Sequence, residues 1–244
     1  MLSFFRKKDQ GHVVLPYVVD MHSHLLPGLD DGVRSVEESL YILKKLAKLG
    51  YRKVITTPHV MFEHYPNKPE EIIVRASEIQ HYLNKHQLNI TFEAAAEYYL
   101  DEHLNSLLST NEKLLTFHDG YLLFETSFMN KPVFLEEAIF KMNVNGYKPV
   151  MAHPERYIYL QTNPDLISHL RNMNVLFQIN LFSLLGHYSA GAKRLAGKLL
   201  NSGLVEFVGT DCHNALQIDE LQKAVTPRFV NSLRKYHVRN HLLL

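Results

Sequence analysis

The sequence predicts an α/β protein built on parallel strands, and three observations carry that reading. Short apolar runs rich in Val, Ile, Leu and Phe alternate with helical patterns along the chain. Several of these runs are nearly continuous in apolar residues, as strands covered on both faces are. Residues of metal-ligating type stand at the ends of most of them, and a parallel sheet gathers its strand ends on one side.

Seven runs read as strands: 13–20, 53–57, 89–95, 120–125, 149–152, 175–179 and 205–209. The intervening segments carry helix punctuation. Ser35-Val36-Glu37-Glu38 is a capping box, followed by apolar Leu40, Leu43 and Ala47 and a stop at Gly50. Pro69-Glu70-Glu71 opens a helix with proline and acids in its first turn. Pro132 with Glu136-Glu137 begins another that ends near Gly146, and Asn163-Pro164 reads as a cap plus first-turn proline. Ser189 to Asn201, closed by Gly203, is the next. An eight-stranded α/β barrel takes about 250 residues, so 244 residues suit a seven-stranded relative. The pattern alone fits an open doubly wound sheet equally well; the ligand-type residues at the strand ends favour the barrel.

Composition excludes several classes. Hydrophobic residues are 46% and charged residues 21%, which excludes a largely disordered chain. The 26 Lys+Arg against 25 Asp+Glu give a net charge of +1, without the basic excess of a nucleic-acid partner. The single cysteine, Cys212, cannot form an intrachain disulfide or supply a four-thiolate zinc site. Residues 1–12 read as a flexible N-terminal tail ahead of a single domain over 13–244. The tail has no apolar core of the kind a secretory signal needs. No run reaches the ~18–20 apolar residues of a membrane span, so the expected location is the cytoplasm.

The strand ends carry the chemistry. His22-Ser23-His24 follows the first run, and an H-x-H at a strand end can turn two imidazoles to one ion. A tight acidic loop containing Asp30-Asp31-Gly32 comes just after. The second run ends at Thr57-Pro58-His59, the third leads to Glu97, the fourth ends in Glu125 and the fifth meets His153. The seventh leads to Asp211-Cys212-His213. Glu125 follows an apolar run directly, where an unpaired carboxylate is costly to bury. The candidate ligands are therefore His22, His24, Asp31, His59, Glu97, Glu125, His153, Asp211 and His213. That is more than one ion can use, so two or three ions with a bridging carboxylate are implied. A mixed imidazole and carboxylate donor set without thiolate suits Mn2+, Fe or Zn2+. Alternation turns Cys212 away from its two neighbours, as a small packed residue.

Clustered divalent ions hold an oxyanion and lower the pKa of a bound water. Phosphate ester hydrolysis is the leading reaction, with amide or imine hydrolysis as its competitor. Arg156, three residues after His153, is placed to pair with phosphate oxygens. His187, after the sixth run, is either a mouth residue or an ordinary loop histidine.

At these residues the sequence resembles the polymerase-and-histidinol-phosphatase (PHP) superfamily. The resemblance rests on H-x-H, D-D-G, T-P-H, Glu97, F-E-T, H-P-E-R-Y and the final D-x-H, and it covers about residues 17–215. Order and spacing are most similar to bacterial manganese-dependent protein-tyrosine phosphatases of capsular and exopolysaccharide synthesis. The resemblance implies a distorted seven-stranded (β/α)7 TIM-like barrel with a three-metal site. It also implies a substrate, the phosphotyrosine-rich tail of a bacterial tyrosine kinase. By motif position it places His22, His24, Glu125 and Asp211 on one ion, with Glu125 bridging to a second. Asp31, His59, Glu97, His153 and His213 complete the second and third ions, and Arg156 grips phosphate.

One departure stands out. Members of this group often carry another arginine shortly after the final D-x-H, where this chain reads Asn214-Ala215-Leu216-Gln217-Ile218. A cysteine-dependent phosphatase is excluded, because it needs an arginine six positions after its cysteine and that position holds Ile218. The alternatives are a small-molecule phosphatase such as one acting on histidinol phosphate, a nucleic-acid phosphodiesterase, and a non-catalytic regulator.

Overall fold

The first strand of the chain is far shorter than its apolar run. In the computed structural model, which describes residues 13–244, β1 is only Val19–Asp20. Pro16 has no N–H to donate, and Leu15 N–H instead bonds the Leu49 carbonyl at 2.8 Å, which anchors the entering chain to the end of the first helix. The tail expected over residues 1–12 lies outside the described residues.

Eight further strands follow: β2 (Lys53–Thr56), β3 (His59–Val60), β4 (Thr91–Ala94), β5 (Glu97–Tyr99), β6 (Tyr121–Glu125), β7 (Lys148–Ala152), β8 (Leu176–Asn180) and β9 (Phe207–Gly209). All pair in parallel, in a three-stranded sheet β1-β2-β4 and a six-stranded sheet β3-β5-β6-β7-β8-β9. The chain is thus an α/β protein with parallel sheets. The difference from seven strands has a local cause. The second expected strand breaks at Pro58, which lacks an N–H, and its neighbour breaks alongside at Ala95-Ala96. Each gives two short strands on the same path, so the seven runs become nine strands. An isolated parallel bridge joins Ser23 to Cys212.

The helix signals held, with adjustments. Ser35 caps Val36–Lys48 by accepting from Glu38 N–H, and Gly50 follows with φ of +101°, a value that favours glycine. Helices Pro69–Lys85 and Ala190–Asn201 begin where proline and Ser189 mark them. The helix expected from Pro132 starts three residues later, at Leu135, and ends at Val144. Asn163 precedes Pro164–Asn172 but its side chain makes no capping bond. Helices Glu102–Thr110, Ala215–Ala224 and Pro227–Leu233 are additional to the signals read from the sequence; Asp101, Asn214 and Thr226 cap them.

Two apolar clusters hold this frame. The larger packs strands against helices, with Ile42, Leu46, Phe124, Phe177 and Leu199 buried in it. The smaller takes Val19, Ile55, Leu123, Val150 and Phe207 from five strands, together with Met21, Phe117 and Leu243. Burying such side chains contributes about 1.5–3 kcal/mol each, which fixes the strands whose ends carry the site.

Candidate metal centre

Eight of the nine predicted ligands stand near the carboxyl end of a strand path, and Asp31 lies in the loop between β1 and the first helix. His22 and His24 follow β1, His59 follows the break after β2, and Glu97 follows the break after β4. Glu125 ends β6, His153 follows β7, and Asp211 and His213 follow β9. His153 and Asp211 take left-handed backbone, with φ of +33° and +53°. Such backbone costs about 1–3 kcal/mol in a residue other than glycine and clusters at functional sites.

The structure brings all nine candidates together. They form four overlapping sets whose ligand atoms lie within 4.8 Å of one another: His24, Asp31, His59 and His213; His22, His24 and Asp211; His22, Glu97 and His153; and His59, Glu97 and Glu125. Among the described residues, no other His, Cys, Asp or Glu joins such a set. Glu97 is the centre. Its Oε2 lies 3.2 Å from His22 Nε2, 3.3 Å from His24 Nε2 and 3.2 Å from His59 Nδ1, while Oε1 lies 3.0 Å from His153 Nε2. The family resemblance implies Glu125 beside His22 and His24. The structure sets Glu97 there, and Glu125 faces His59 at 3.2 Å and His153 at 3.8 Å.

These contacts fit a metal centre better than a hydrogen-bond network. Glu97 Oε2 and His59 Nδ1 are buried and lack a hydrogen-bond partner, although they lie 3.2 Å apart. His22 Nε2 and His24 Nε2 face each other at 3.3 Å, and both also face Asp211 Oδ1 at 3.3 Å. Donors about 2.0–2.2 Å from a shared ion, at angles between about 90° and 110°, lie about 2.8–3.6 Å from each other. The observed spacings match that separation.

Outer partners set the orientation of the inner ones. His22 Nδ1–H donates to Gln178 Oε1 at 2.8 Å, which leaves Nε2 facing the cluster. His24 Nδ1–H donates to Asp30 Oδ2 at 2.7 Å, and Asp30 also accepts from the backbone N–H groups of Gly32 and His59. Asp211 Oδ2 accepts from Asn180 Nδ2 at 2.6 Å and Arg156 Nη1 at 3.0 Å, which directs Oδ1 to the imidazoles. Gly209 is required here, because a Cβ would stand 2.6 Å from the His22 Cβ.

The charge balance follows from this packing. Burial opposes ionisation of Glu97 and Asp211, yet the imidazoles around them hold both carboxyls well below the usual carboxylate range. Burial also opposes protonation of His22, but the carboxylates of Glu97 and Asp211 outweigh it and raise the imidazole to about 9 in the metal-free protein. Both carboxylates therefore stay ionised at neutral pH, ready for a cation.

Arg156 sits in a short 3-10 turn, Pro154–Arg156, and its guanidinium lies 4.5 Å from the Phe128 ring centre and 4.1 Å from that of Tyr188. It faces a cavity of about 810 Å3 bordered by Asp31, His59, Glu125, His153, Asp211 and His213. Asn214 and Gln217, from the stretch that lacks the second arginine, also line it. They already serve as a helix cap and as the acceptor for His213 N–H. Arg156 is the one lysine or arginine among the described lining residues. His187 is absent from that lining and faces Glu220 at 3.5 Å; its neighbour Tyr188 reaches the cavity instead. Cys212 is buried, as expected.

Gln178, Asn180 and Tyr188 are not among the candidates that the sequence offers, and Asp30 stands there only as part of the acidic loop. Gln178 did carry a signal: it is a polar residue inside the apolar run 175–179, as Glu125 is at the end of its own.

Fold and site together define an α/β protein with a candidate polynuclear metal centre at its strand ends. The chain belongs to the capsular polysaccharide synthesis CpsB/CapC family, whose model matches residues 18–231. It is 29% identical over 197 residues to the tyrosine-protein phosphatase YwqE of Bacillus subtilis, covering 81% of this chain and 78% of that protein. It is 30% identical over 207 residues to the tyrosine-protein phosphatase CpsB of Streptococcus pneumoniae, covering 81% and 83%. Among solved structures, it matches one chain from the crystal structures of YwqE from Bacillus subtilis and CpsB from Streptococcus pneumoniae, described as unique metal-dependent tyrosine phosphatases, with a TM-score of 0.78 and 27% identity over 93% of this chain and 94% of that one. The lactonase Lmo2620 of Listeria monocytogenes shares the fold alone, with a TM-score of 0.53 and 9% identity over 93% and 90%.

Proposed function

We propose that this protein is a metal-dependent protein-tyrosine phosphatase. The observation that carries the reading is the convergence of nine ligand-type residues in four overlapping sets, with Glu97 Oε2 buried and unpartnered among three imidazoles. Membership of a capsular polysaccharide synthesis family and the tyrosine phosphatases among its relatives supply the substrate class. The substrate is a phosphotyrosine-bearing protein, the tail of a bacterial tyrosine kinase that serves polysaccharide synthesis. The enzyme works in the cytoplasm; no helix among the described residues is long and apolar enough to cross a membrane. Residues 13–244 act as a single PHP-type domain. Its distorted seven-stranded barrel is supported by the Ser23–Cys212 bridge between the two sheets and by the apolar cluster drawn from five strands.

His22, His24, Glu97, Asp211 and His153 hold one side of a centre of two or three Mn2+ ions. Asp31, His59, Glu125 and His213 hold the other. When bound, the ions supply Lewis acidity and lower the pKa of a coordinated water toward neutrality. Asp30 and Gln178 fix the tautomers of His24 and His22, so each presents a lone pair at Nε2. Arg156, held on one edge by Asp211, offers its remaining N–H groups to the phosphate oxygens. A phenol, with a pKa near ~10, leaves with less proton assistance than an aliphatic alcohol. That eases the demand on the chain for a general acid.

Removing metal with a chelator should abolish hydrolysis of p-nitrophenyl phosphate and of a phosphotyrosyl peptide, and Mn2+ should restore both. Full activity in protein shown by elemental analysis to be metal-free would overturn the proposal.

A further inference from the structure

The cavity lining beside Arg156 includes an apolar stretch. Phe128 and Met129 form it, and they remain 39% and 61% exposed. Large apolar side chains left open at a polar cavity are contact surface for a ligand group of their own character. Their segment is fixed. Thr126 N–H donates to the hydroxyl of the fully buried Tyr157 at 3.2 Å, and Ile158 N–H donates to the Phe128 carbonyl at 2.8 Å. The Phe128 ring stands 4.5 Å from the guanidinium carbon of Arg156. A phosphate held by Arg156 therefore has Phe128 and Met129 among the cavity-lining groups open to its ester substituent.

We infer that Phe128 and Met129 form the subsite for the aryl group of the substrate and set a preference for aryl over alkyl phosphates. An aromatic ring stacks on or meets the edge of the Phe128 ring, and the Met129 thioether packs favourably against it. The side chain of a phosphoserine or phosphothreonine has no ring to offer these two residues. This inference rests on the phosphatase reading above and adds the residues that select within it.

The test compares phenylphosphonate with methylphosphonate, which share a head group and contain no scissile ester. Their affinities for the metal-loaded protein are measured by titration calorimetry and, independently, as inhibition of p-nitrophenyl phosphate hydrolysis. Phe128→Leu keeps an apolar cover on Arg156 while removing the ring, and Met129→Ala trims an exposed side chain. The wild type should prefer phenylphosphonate. The double variant should lose about three- to tenfold of that preference, while methylphosphonate affinity moves by less than about twofold. An unchanged preference, or an equal weakening of both ligands, would overturn the inference. Should the double variant fail to fold, Met129→Ala alone carries the same comparison. A wild type that binds both phosphonates with the expected preference yet hydrolyses no phosphoester would sink the phosphatase reading and leave the subsite standing.

Discussion

Gln178 offers the sharpest test of how the fold builds the site. It touches no predicted substrate and is itself no ligand, yet it is fully buried at the level of His22. Its Oε1 accepts from His22 Nδ1–H at 2.8 Å and from His153 N–H at 3.3 Å, and its Nε2 donates to Asn180 Oδ1 at 2.8 Å. It therefore reaches His22, His153 and, through Asn180, Asp211. Gln178→Met keeps a similar volume and removes every polar atom. Two buried donors, His22 Nδ1–H and His153 N–H, lose their acceptor, at about 1–3 kcal/mol each. The metal-free variant should lose about 2–5 kcal/mol of stability in urea unfolding. Loss of the bond that fixes the His22 tautomer should weaken metal binding by about 10–100-fold. Calorimetric titration of Mn2+ at pH 7.5 reads that loss, with circular dichroism to establish that the variant is folded. A folded variant that binds Mn2+ as tightly as the wild type would refute the claim that Gln178 orients the ligands.

Four further outcomes follow from the same geometry. Gly32→Ala should lower metal content per chain in elemental analysis, because its Cβ would meet the His24 carbonyl and Asp30 Oδ1, the oxygen of the carboxylate that steers His24. Arg156→Lys keeps the charge but loses the planar fork, so kcat/KM on a phosphotyrosyl peptide should fall about ten- to a hundredfold with metal content unchanged. Asn240→Ala, which removes bonds to Val19 and to Val208 N–H and carbonyl, should cost about 2–4 kcal/mol in urea unfolding yet leave Mn2+ stoichiometry intact. The last outcome concerns pH. His22 is raised to about 9 in the metal-free protein, so the stability its imidazolium contributes is full below about 6.5 and fades as pH rises through 9. A bound ion needs the neutral ring. Mn2+ affinity should therefore rise across that window, and titration at pH 7.5 in buffers of different ionisation enthalpy should register proton release; a heat independent of buffer would contradict it.

Much of the site was legible because strand ends are local features. His22-Ser23-His24, Thr57-Pro58-His59 and Asp211-Cys212-His213 place ligand-type residues at the ends of apolar runs, and parallel strands carry those ends to one side. Helix starts were legible where a cap or proline stood in sequence, as at Ser35, Pro69 and Ser189. The start expected at Pro132 moved to Leu135, since a proline permits a first turn without requiring one.

Local pattern was enough to establish parallel α/β architecture, nine ligand-type residues and an arginine close to them, because each depends on a residue and its near neighbours. Which carboxylate occupies the centre was beyond its reach. Glu97 and Glu125 look alike along the chain, and only the break at Ala95-Ala96 carries Glu97 among His22, His24, His59 and His153. The tautomers are also long-range facts, since Gln178 lies 156 positions from His22. The missing arginine was legible in sequence, but that Arg156 is the one lysine or arginine among the described cavity-lining residues is a long-range fact. Packing decides these points because they depend on which distant groups share a few ångströms of buried space, and burial there makes an unpaired charge or donor costly.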